Sequence, residues 1–405
     1  MARKLRRKGA LLGAAAVLAM PAVAVAAAPV HAQDAPYTDP GGAAASWLAA
    51  QSSGEYFEFN AAPDVSATLD SLIGLMAARV GGDQVQASLE WLNDPDVLNA
   101  YVHPGGEGEE TAPIALGAAG KVMYVVATAG GDPADFGGIK LADEVAEAPV
   151  EGLDGSTLSW AALGLSRTEG GVSGEVAAAL LAAQCGDGGF SYAVAEGGDC
   201  VSDPDTTGLA AAALAALGED GAEAHASALQ WLQDGQGEDG SFDGGFGANA
   251  NSTAMAAQAL LTSDDAAAAA EASLTYLIGL QIGCDEDGAG AIRFSDPEDP
   301  EFGEASRLLA TAQSLVPLSG QNLAELDASD SAADVPAVEC ESAGSDTATA
   351  EGDDAGEDDG ATAWVPWLIA GAALVLVAIV AFTVVRGRRG REAPRSESAE
   401  GKDGE

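Results

Sequence analysis

The chain has 405 residues and a formal net charge of −46 at pH 7. Between Gln33 and Ala363 only six basic residues accompany 58 acidic ones, which gives that part a net charge of about −52. Such a charge repels nucleic acid and phosphorylated metabolites, so it argues against proteins that act on either. We interpret the charge as a source of solubility outside the cell, and a cation-binding surface is the alternative interpretation.

Both ends of the chain carry export and membrane signals. Five basic residues in the first eight precede an apolar run and the small-residue sequence VHA, which is typical of a signal peptide ending at Ala32. Trp364 to Val385 contains 22 residues without a charge, enough to cross a bilayer, and Arg386 begins a basic stretch that stays in the cytoplasm. We therefore predict a single-pass protein of the cell membrane. Its expected parts are a signal peptide (1–32), an extracellular folded part (33–338), a disordered acidic linker (339–363), a transmembrane helix (364–385) and a cytoplasmic tail (386–405).

Four cysteines in an exported chain predict two disulfides, with three possible connectivities. Cys185 and Cys200 flank one loop, so we pair them, which leaves Cys284 with Cys340. Zinc binding is the alternative, but the first two cysteines lie 15 residues apart and no histidine lies near them.

A helical unit recurs along the folded part. Alanine- and leucine-rich segments follow Thr68, Thr111, Thr157, Thr207 and Thr253 at steps of 43 to 50 residues, and a sixth starts near Leu308. Amphipathic segments that end in Gln51, Gln184, Gln236 and Gln281 precede four of them. Each unit is predicted as an outer amphipathic helix, a glycine-rich loop and an inner apolar helix. Six such hairpins can bury their inner helices by closing into a ring, so the expected class is all-α.

One unit carries a family resemblance. Trp231, Gln236 and Phe242, with the glycine loop between the last two, resemble the QW repeat of the prenyltransferase and squalene cyclase superfamily. The resemblance implies an α/α toroid of six inner and six outer helices, with a central cavity whose mouth is framed by the N-termini of the inner helices. It also implies that Trp231, Gln236 and Phe242 are structural.

The stretch DPDTTG, Asp203 to Gly208, raises the question of catalysis. It is similar to the DxDDTA motif of class II terpenoid cyclases, which places Asp205 at the position of the general acid, beside Asp203. Asn249 and Asn251 repeat the pattern one unit later without an acid, which favours a helix start. The aromatic content of 5% is low for carbocation chemistry. The resemblance to squalene-type cyclases also implies two α domains, whereas this chain has room for one, which further disfavours cyclisation.

The sequence indicates no metal site and no evident cofactor. His103 and His225 are isolated, and the zinc ligands of the protein prenyltransferase β subunits have no counterpart. The acidic loops after Gly237 and Cys284 lack the spacing of a calcium loop.

A binding role remains as the first functional hypothesis. Asp203, Asp205, Asn249, Asn251 and Glu304 are predicted at the cavity mouth, where a few polar groups around an apolar hollow are typical of a small-molecule site. Secreted cobalamin carriers have a similar plan, so a cobalamin-like ligand is one candidate and a membrane transporter is the candidate partner for uptake. The alternatives are a terpenoid cyclase-like enzyme that uses Asp205, and an adhesion or interaction scaffold.

Overall fold

The computed structural model describes residues 36–105, 112–193, 200–299, 303–328 and 331–337. The described part is mostly helical, and its strands form two short hairpins, which confirms the all-α class. The helices are α1 (Pro40–Ala50), α2 (Val65–Ala77), α3 (Gly82–Leu92), α4 (Pro95–Val102), α5 (Leu116–Thr128), α6 (Leu141–Glu147), α7 (Gly155–Ser166), α8 (Gly174–Ala182), α9 (Pro204–Ala216), α10 (Ala222–Gly235), α11 (Ala250–Leu260), α12 (Ala267–Gly279) and α13 (Gly303–Leu318). The strands are β1 (Glu58–Phe59) paired with β2 (Ala62–Pro63), and β3 (Phe242–Asp243) paired with β4 (Ala248–Asn249).

Six of the described helices form a closed inner ring. In order around the ring they are α2, α5, α7, α9, α11 and α13, and the last contacts the first. The contact between α2 and α5 is the smallest of the six. Most side chains of these helices are buried, as their alanine- and leucine-rich sequences predict. The fold is an α/α toroid.

Glycines let neighbouring inner helices approach to backbone contact. A Cβ at Gly74 of α2 would lie 2.7 Å from the carbonyl oxygen of Ala312 in α13. Gly120 and Gly164 bring α5 and α7 together in the same way, and Gly208 of α9 lies against the Met255 carbonyl of α11. A helix interior normally disfavours glycine by about 1 kcal/mol, so these glycines serve packing rather than helix formation.

Threonines join the loop to the inner helix that follows it in four of the six units. The Oγ1 atoms of Thr68, Thr207 and Thr253 accept hydrogen bonds from the backbone N–H groups of Phe57, Phe190 and Phe242 at 2.9–3.0 Å. Thr311 of α13 does the same for the N–H of Ile292, at 2.9 Å. The bonds satisfy buried N–H groups in the loops and therefore fix where these inner helices begin.

The glutamines that end the amphipathic segments join consecutive outer helices. Gln184 donates to the Ala224 carbonyl of α10, and Gln236 donates to the Ala269 carbonyl of α12, each at 2.8 Å. Gln281 donates to the Pro40 carbonyl of α1 at 2.8 Å, which joins the last outer helix to the first. Gln51 bonds only within its own helix, to the Trp47 carbonyl.

Four details of the predicted repeat are wrong. The third inner helix is capped by Asp154, three residues before Thr157, whereas the caps Asp64, Asp203 and Asn249 lie four residues before their threonines. The sixth inner helix begins at Gly303 and its equivalent threonine is Thr311, because the preceding loop is longer than in the other units. The outer layer holds two helices, α3 and α4, between α2 and α5. Thr111 lies outside the described residues, and the second inner helix begins at Leu116.

The segment after α13 closes one end of the ring. Arg167, at the end of α7, donates to the carbonyls of Leu323, Ala324 and Leu326 at 3.0–3.4 Å. Tyr124 donates its hydroxyl to the Leu323 carbonyl at 2.8 Å. Leu323 and Leu326 are buried, so this segment fills the end of the ring at which the inner helices finish.

The predicted disulfide between Cys185 and Cys200 is confirmed. Cys340, the predicted partner of Cys284, lies outside the described residues. No helix within the described ranges is long and apolar enough to cross a bilayer. The predicted signal peptide, acidic linker, transmembrane helix and tail also lie outside these ranges.

We expect Gly208→Ala to lower the free energy of unfolding by about 1–3 kcal/mol, because the new methyl group overlaps the Met255 carbonyl. Gly279→Ala is the matched control, since a Cβ there meets no atom within 4 Å and alanine favours the helix. Urea denaturation measures both variants. Equal stability of the two would show that backbone contact at α9 and α11 is unimportant.

Candidate functional site

The inner helices present three layers of side chains to the inside of the ring. Positions two, six and nine residues after a helix cap lie on one face of the helix. We therefore number each inner helix from its cap, and number α13 so that Thr311 takes the position that Thr68, Thr207 and Thr253 have in their helices. The first layer is called the rim and the second the middle layer. The third is called the floor. The rim is Ser66, Gly117, Ser156, Asp205, Asn251 and Leu309; the middle layer is Asp70, Lys121, Trp160, Leu209, Met255 and Gln313; the floor is Ile73, Tyr124, Leu163, Ala212, Gln258 and Val316.

Exposure falls steadily from the rim to the floor. Every rim residue is exposed or half-buried, and Leu309 keeps 40% of its surface. The middle layer is half-buried or buried, and every floor residue is buried, at 4% exposure or less. Seven helical residues separate rim from floor, a rise of about 10 Å. The inside of the ring is therefore a bowl that opens where the inner helices begin and is filled below.

The middle layer has a polar half and an apolar half. Lys121 and Asp70 form an ion pair at 2.8 Å across α5 and α2, and the ammonium lies 5.3 Å from the ring centre of Trp160 on α7. Gln313 of α13 accepts a hydrogen bond from Asn251 at 2.8 Å. Leu209 and Met255, on α9 and α11, complete the layer without a polar group. The bowl therefore offers a charged pair and an aromatic face on one side and aliphatic surface on the other.

Asp205 is the rim residue whose pKa is shifted by its surroundings. It lies at the second position of α9, and its Oδ2 accepts a hydrogen bond from the Ser252 hydroxyl of α11 at 2.8 Å. Burial raises the pKa of Asp205, the Ser252 hydrogen bond lowers it, and the Asp203 carboxylate raises it, with a net increase. Gly244 of the β3–β4 hairpin lies against both side chains, so a Cβ there would be 2.6 Å from Oδ2 of Asp205.

Among the other predicted site residues, Asp203, Asn249 and Asn251 have structural partners. Asp203 and Asn249 are N-caps: their side-chain oxygens accept from the N–H groups of Thr206 at 2.8 Å and Ser252 at 2.9 Å. Asp203 also accepts from the Tyr192 N–H at 3.2 Å. Glu304 is exposed in the first turn of α13. Ser252 thus links Asp205 with Asn249, and Asn251 belongs to the Gln313 pair.

The residues of the predicted QW repeat make contacts between units. The Trp231 indole N–H donates to Asp187 of the disulfide loop at 3.1 Å. Gln236 contacts three groups, the carbonyls of Gly240 and Ala269 and the Ser273 hydroxyl. Phe242 is buried at the start of the β3–β4 hairpin. These contacts suit a structural role, and none of the three residues belongs to the bowl.

The sequence prediction missed the middle layer. Six residues after the caps Asp64, Asp203 and Asn249 stand Asp70, Leu209 and Met255, so these three follow from the helical period. Trp160 and Lys121 do not follow from the sequence spacing, because the third inner helix starts one residue later than predicted and the second starts at Leu116.

A separate cleft of about 960 Å³ lies at the opposite end of the ring. It is lined by residues from the start of α1, the ends of α2 and α13 and the last described residues, among them Tyr37, Arg79 and Ala337. No predicted site residue lines it, and it borders both ends of the described chain. The bowl is therefore the better candidate for a site. Across the described ranges no group of three or more His, Cys, Asp or Glu is placed to hold a metal ion.

Comparison with known proteins gives similarity of fold. No protein-family model matches the sequence, and no curated protein matches it. Among solved structures, a protein from Actinoplanes is 18% identical, with a TM-score of 0.50 over 69% of this chain and 98% of the other. A glycosidase variant is 13% identical, with a TM-score of 0.50 over 71% and 97%. A type II terpene cyclase from Scytonema, in complex with geranylgeranyl dihydroxybenzoate, is 14% identical, with a TM-score of 0.46 over 69% and 95%. The chain is thus similar in fold to the Actinoplanes protein and to the glycosidase.

We expect Asp205→Asn to stabilise the protein at neutral pH. A raised carboxyl pKa means that the folded state favours the protonated form, so ionisation of Asp205 lowers stability as pH rises from the ordinary carboxyl range through the raised value. Asparagine carries no charge and can still accept from Ser252. Thermal unfolding should give the variant the higher Tm near pH 7, with the difference shrinking as pH falls towards about 3.5.

Asp64→Asn controls for the loss of one acidic charge, since Asp64 is the cap of α2, asparagine caps helices equally well, and Asp64 is not among the groups that shift the pKa of Asp205. A Tm difference for Asp205→Asn that does not change with pH would contradict the role given to burial.

Proposed function

We propose that the toroid is a non-catalytic binding domain that holds a small amphipathic molecule in the bowl. The division of the middle layer into a charged, aromatic half and an aliphatic half supports this. Concave, mostly apolar sites with a few fixed polar groups are the usual form of small-molecule sites. Asp205, Asn251 and the exposed Leu309 would contact the part of the ligand nearest the opening, while Asp203 and Asn249 hold the helix starts in place.

The limited depth of the bowl favours binding over cyclisation. Carbocation chemistry needs a cavity that excludes water and surrounds the substrate with aromatic faces. In this ring the floor lies only about 10 Å below the rim, and Trp160 is the one aromatic residue of the rim and middle layer. A solvent-accessible bowl suits reversible uptake and release.

The predicted export and anchoring signals support a binding role at the cell surface. With the toroid outside the membrane and the acidic linker as a spacer, the domain would capture a ligand and pass it to a membrane transporter. A cobalamin-like molecule is one candidate ligand, on the resemblance in plan to the secreted carriers.

Ligand binding can be tested by blocking the bowl. Ser156→Phe places a large side chain at the rim and should weaken the binding of amphipathic small molecules at least tenfold, measured by calorimetry or native mass spectrometry on the full-length protein. Ser227→Phe is the matched control, because Ser227 is exposed on the outer helix α10. Equal affinities for the two variants, or no binding by the unsubstituted protein to a panel of cobalamins, isoprenoids, glycans and simple amphiphiles, would count against the proposal.

A terpenoid cyclase-like enzyme is the second candidate, on the observation that Asp205 is a partly buried carboxyl with a raised pKa at the opening of the bowl. In this role Asp205 would protonate the substrate, and Ser252 would orient the carboxyl. Incubation with polyprenyl substrates, followed by product analysis, should then give cyclised products that Asp205→Asn abolishes. Absence of products leaves the binding role or the interaction scaffold.

A further inference from the structure

The middle layer contains a buried cation that the ring itself does not need. Three of the six equivalent positions are Trp160, Leu209 and Met255, so uncharged side chains serve the packing there. Lys121 is only 10% exposed, and removing an ammonium from water costs several kcal/mol unless it is well paired. Its presence calls for a reason beyond closure of the ring.

Asp70 and Trp160 do not engage all three N–H donors of the Lys121 ammonium. An ammonium has three N–H donors. Asp70 forms an ion pair with Nζ at 2.8 Å and the ring centre of Trp160 lies 5.3 Å away, while no further ion-pair or hydrogen-bond partner of Nζ is found among the described residues. Four of the other five described basic residues have side-chain partners elsewhere: Lys140 pairs with Asp135, Arg293 with Glu286, Arg307 with Glu298, and Arg167 binds carbonyls of the segment after α13. The fifth, Arg79, lines the separate cleft and not the bowl.

The rim side chains are smallest on the side of the ring where Lys121 and Asp70 lie. The rim residues of α2, α5 and α7 are Ser66, Gly117 and Ser156, whereas α9, α11 and α13 contribute the larger Asp205, Asn251 and Leu309. The smallest contact between inner helices, that of α2 with α5, lies on the same side. Tyr101 of α4 lies beside Ser66, Asp70 and Lys121 on this side, and burial raises the pKa of its hydroxyl. The inner helices therefore contribute only small rim side chains above Lys121, and the larger Tyr101 borders them from the outer layer.

We propose that the bowl recognises an amphipathic carboxylate, whose carboxylate group binds Lys121 beside Asp70 and whose apolar body lies on Trp160, Leu209 and Met255. This inference rests on the proposed binding function and names the chemical class of its ligand. Asp70 orients the ammonium and competes with the ligand for it. A charge-assisted hydrogen bond in a partly buried site is strong enough to select the anionic head group from a neutral one.

The test compares phenylpropionate, phenylpropanol and phenylpropylamine, which share one apolar body, by calorimetry on the full-length protein. We expect phenylpropionate to bind at least tenfold more tightly than the alcohol, and the amine to bind no better than the alcohol. Lys121→Met should remove the preference for the carboxylate and leave the affinity for the alcohol unchanged. Lys140→Met, which removes an exposed lysine, should retain it.

Asp70→Asn separates a ligand site from a structural ion pair. If Lys121 binds the ligand, loss of the competing carboxylate raises the affinity for phenylpropionate severalfold; if the pair only holds α2 to α5, this variant weakens binding of all three compounds together. If Lys121→Met fails to fold, two measurements still test the proposal: the affinities of the three compounds for the unsubstituted protein, and their affinities for Asp70→Asn. Binding without head-group preference overturns the carboxylate inference alone, whereas no binding of any compound overturns the proposed function as well.

Discussion

Backbone contact between inner helices is the constraint on which the rest of the toroid depends. Gly74, Gly120, Gly164 and Gly208 remove the side chains that would separate neighbouring helices, so carbonyl groups of one helix lie against the Cα atoms of the next. Helices that pack this closely enclose little space, which explains why the floor layer is buried and the open part of the ring is shallow. The available room lies only where the helices begin.

Contacts from the loops determine where the inner helices begin relative to one another. Each threonine that accepts a buried loop N–H also fixes which residues of its helix reach the rim and the middle layer, because the helical period then determines the face. The same acids and amides that suggested a catalytic motif, Asp203 and Asn249, cap their helices. Asp205 differs from them, since it does not cap the helix and its partial burial raises its pKa.

The asymmetry of the ring is what makes it a candidate site. Five contacts between inner helices are extensive, while α2 and α5 meet over a smaller surface, with an ion pair and Tyr101 on the same side. Two outer helices, α3 and α4, cover this side where the other units have one. The irregular unit thus coincides with the charged half of the bowl, and regular packing coincides with the aliphatic half.

The sequence by itself determined the all-α class, the toroid, the helix starts at Asp203 and Asn249, and the disulfide between Cys185 and Cys200, because capping residues, helical periodicity and loop spacing are local signals. Tertiary structure alone decided that Asp70, Lys121 and Trp160 meet, since they lie on three helices spread over 90 residues and no local pattern relates them. It also decided the depth of the bowl, which depends on how closely the glycines let the helices approach and on the segment after α13 that fills the far end. Local patterns fix where a helix begins, whereas the shape of a hollow is set by contacts between residues far apart in the chain.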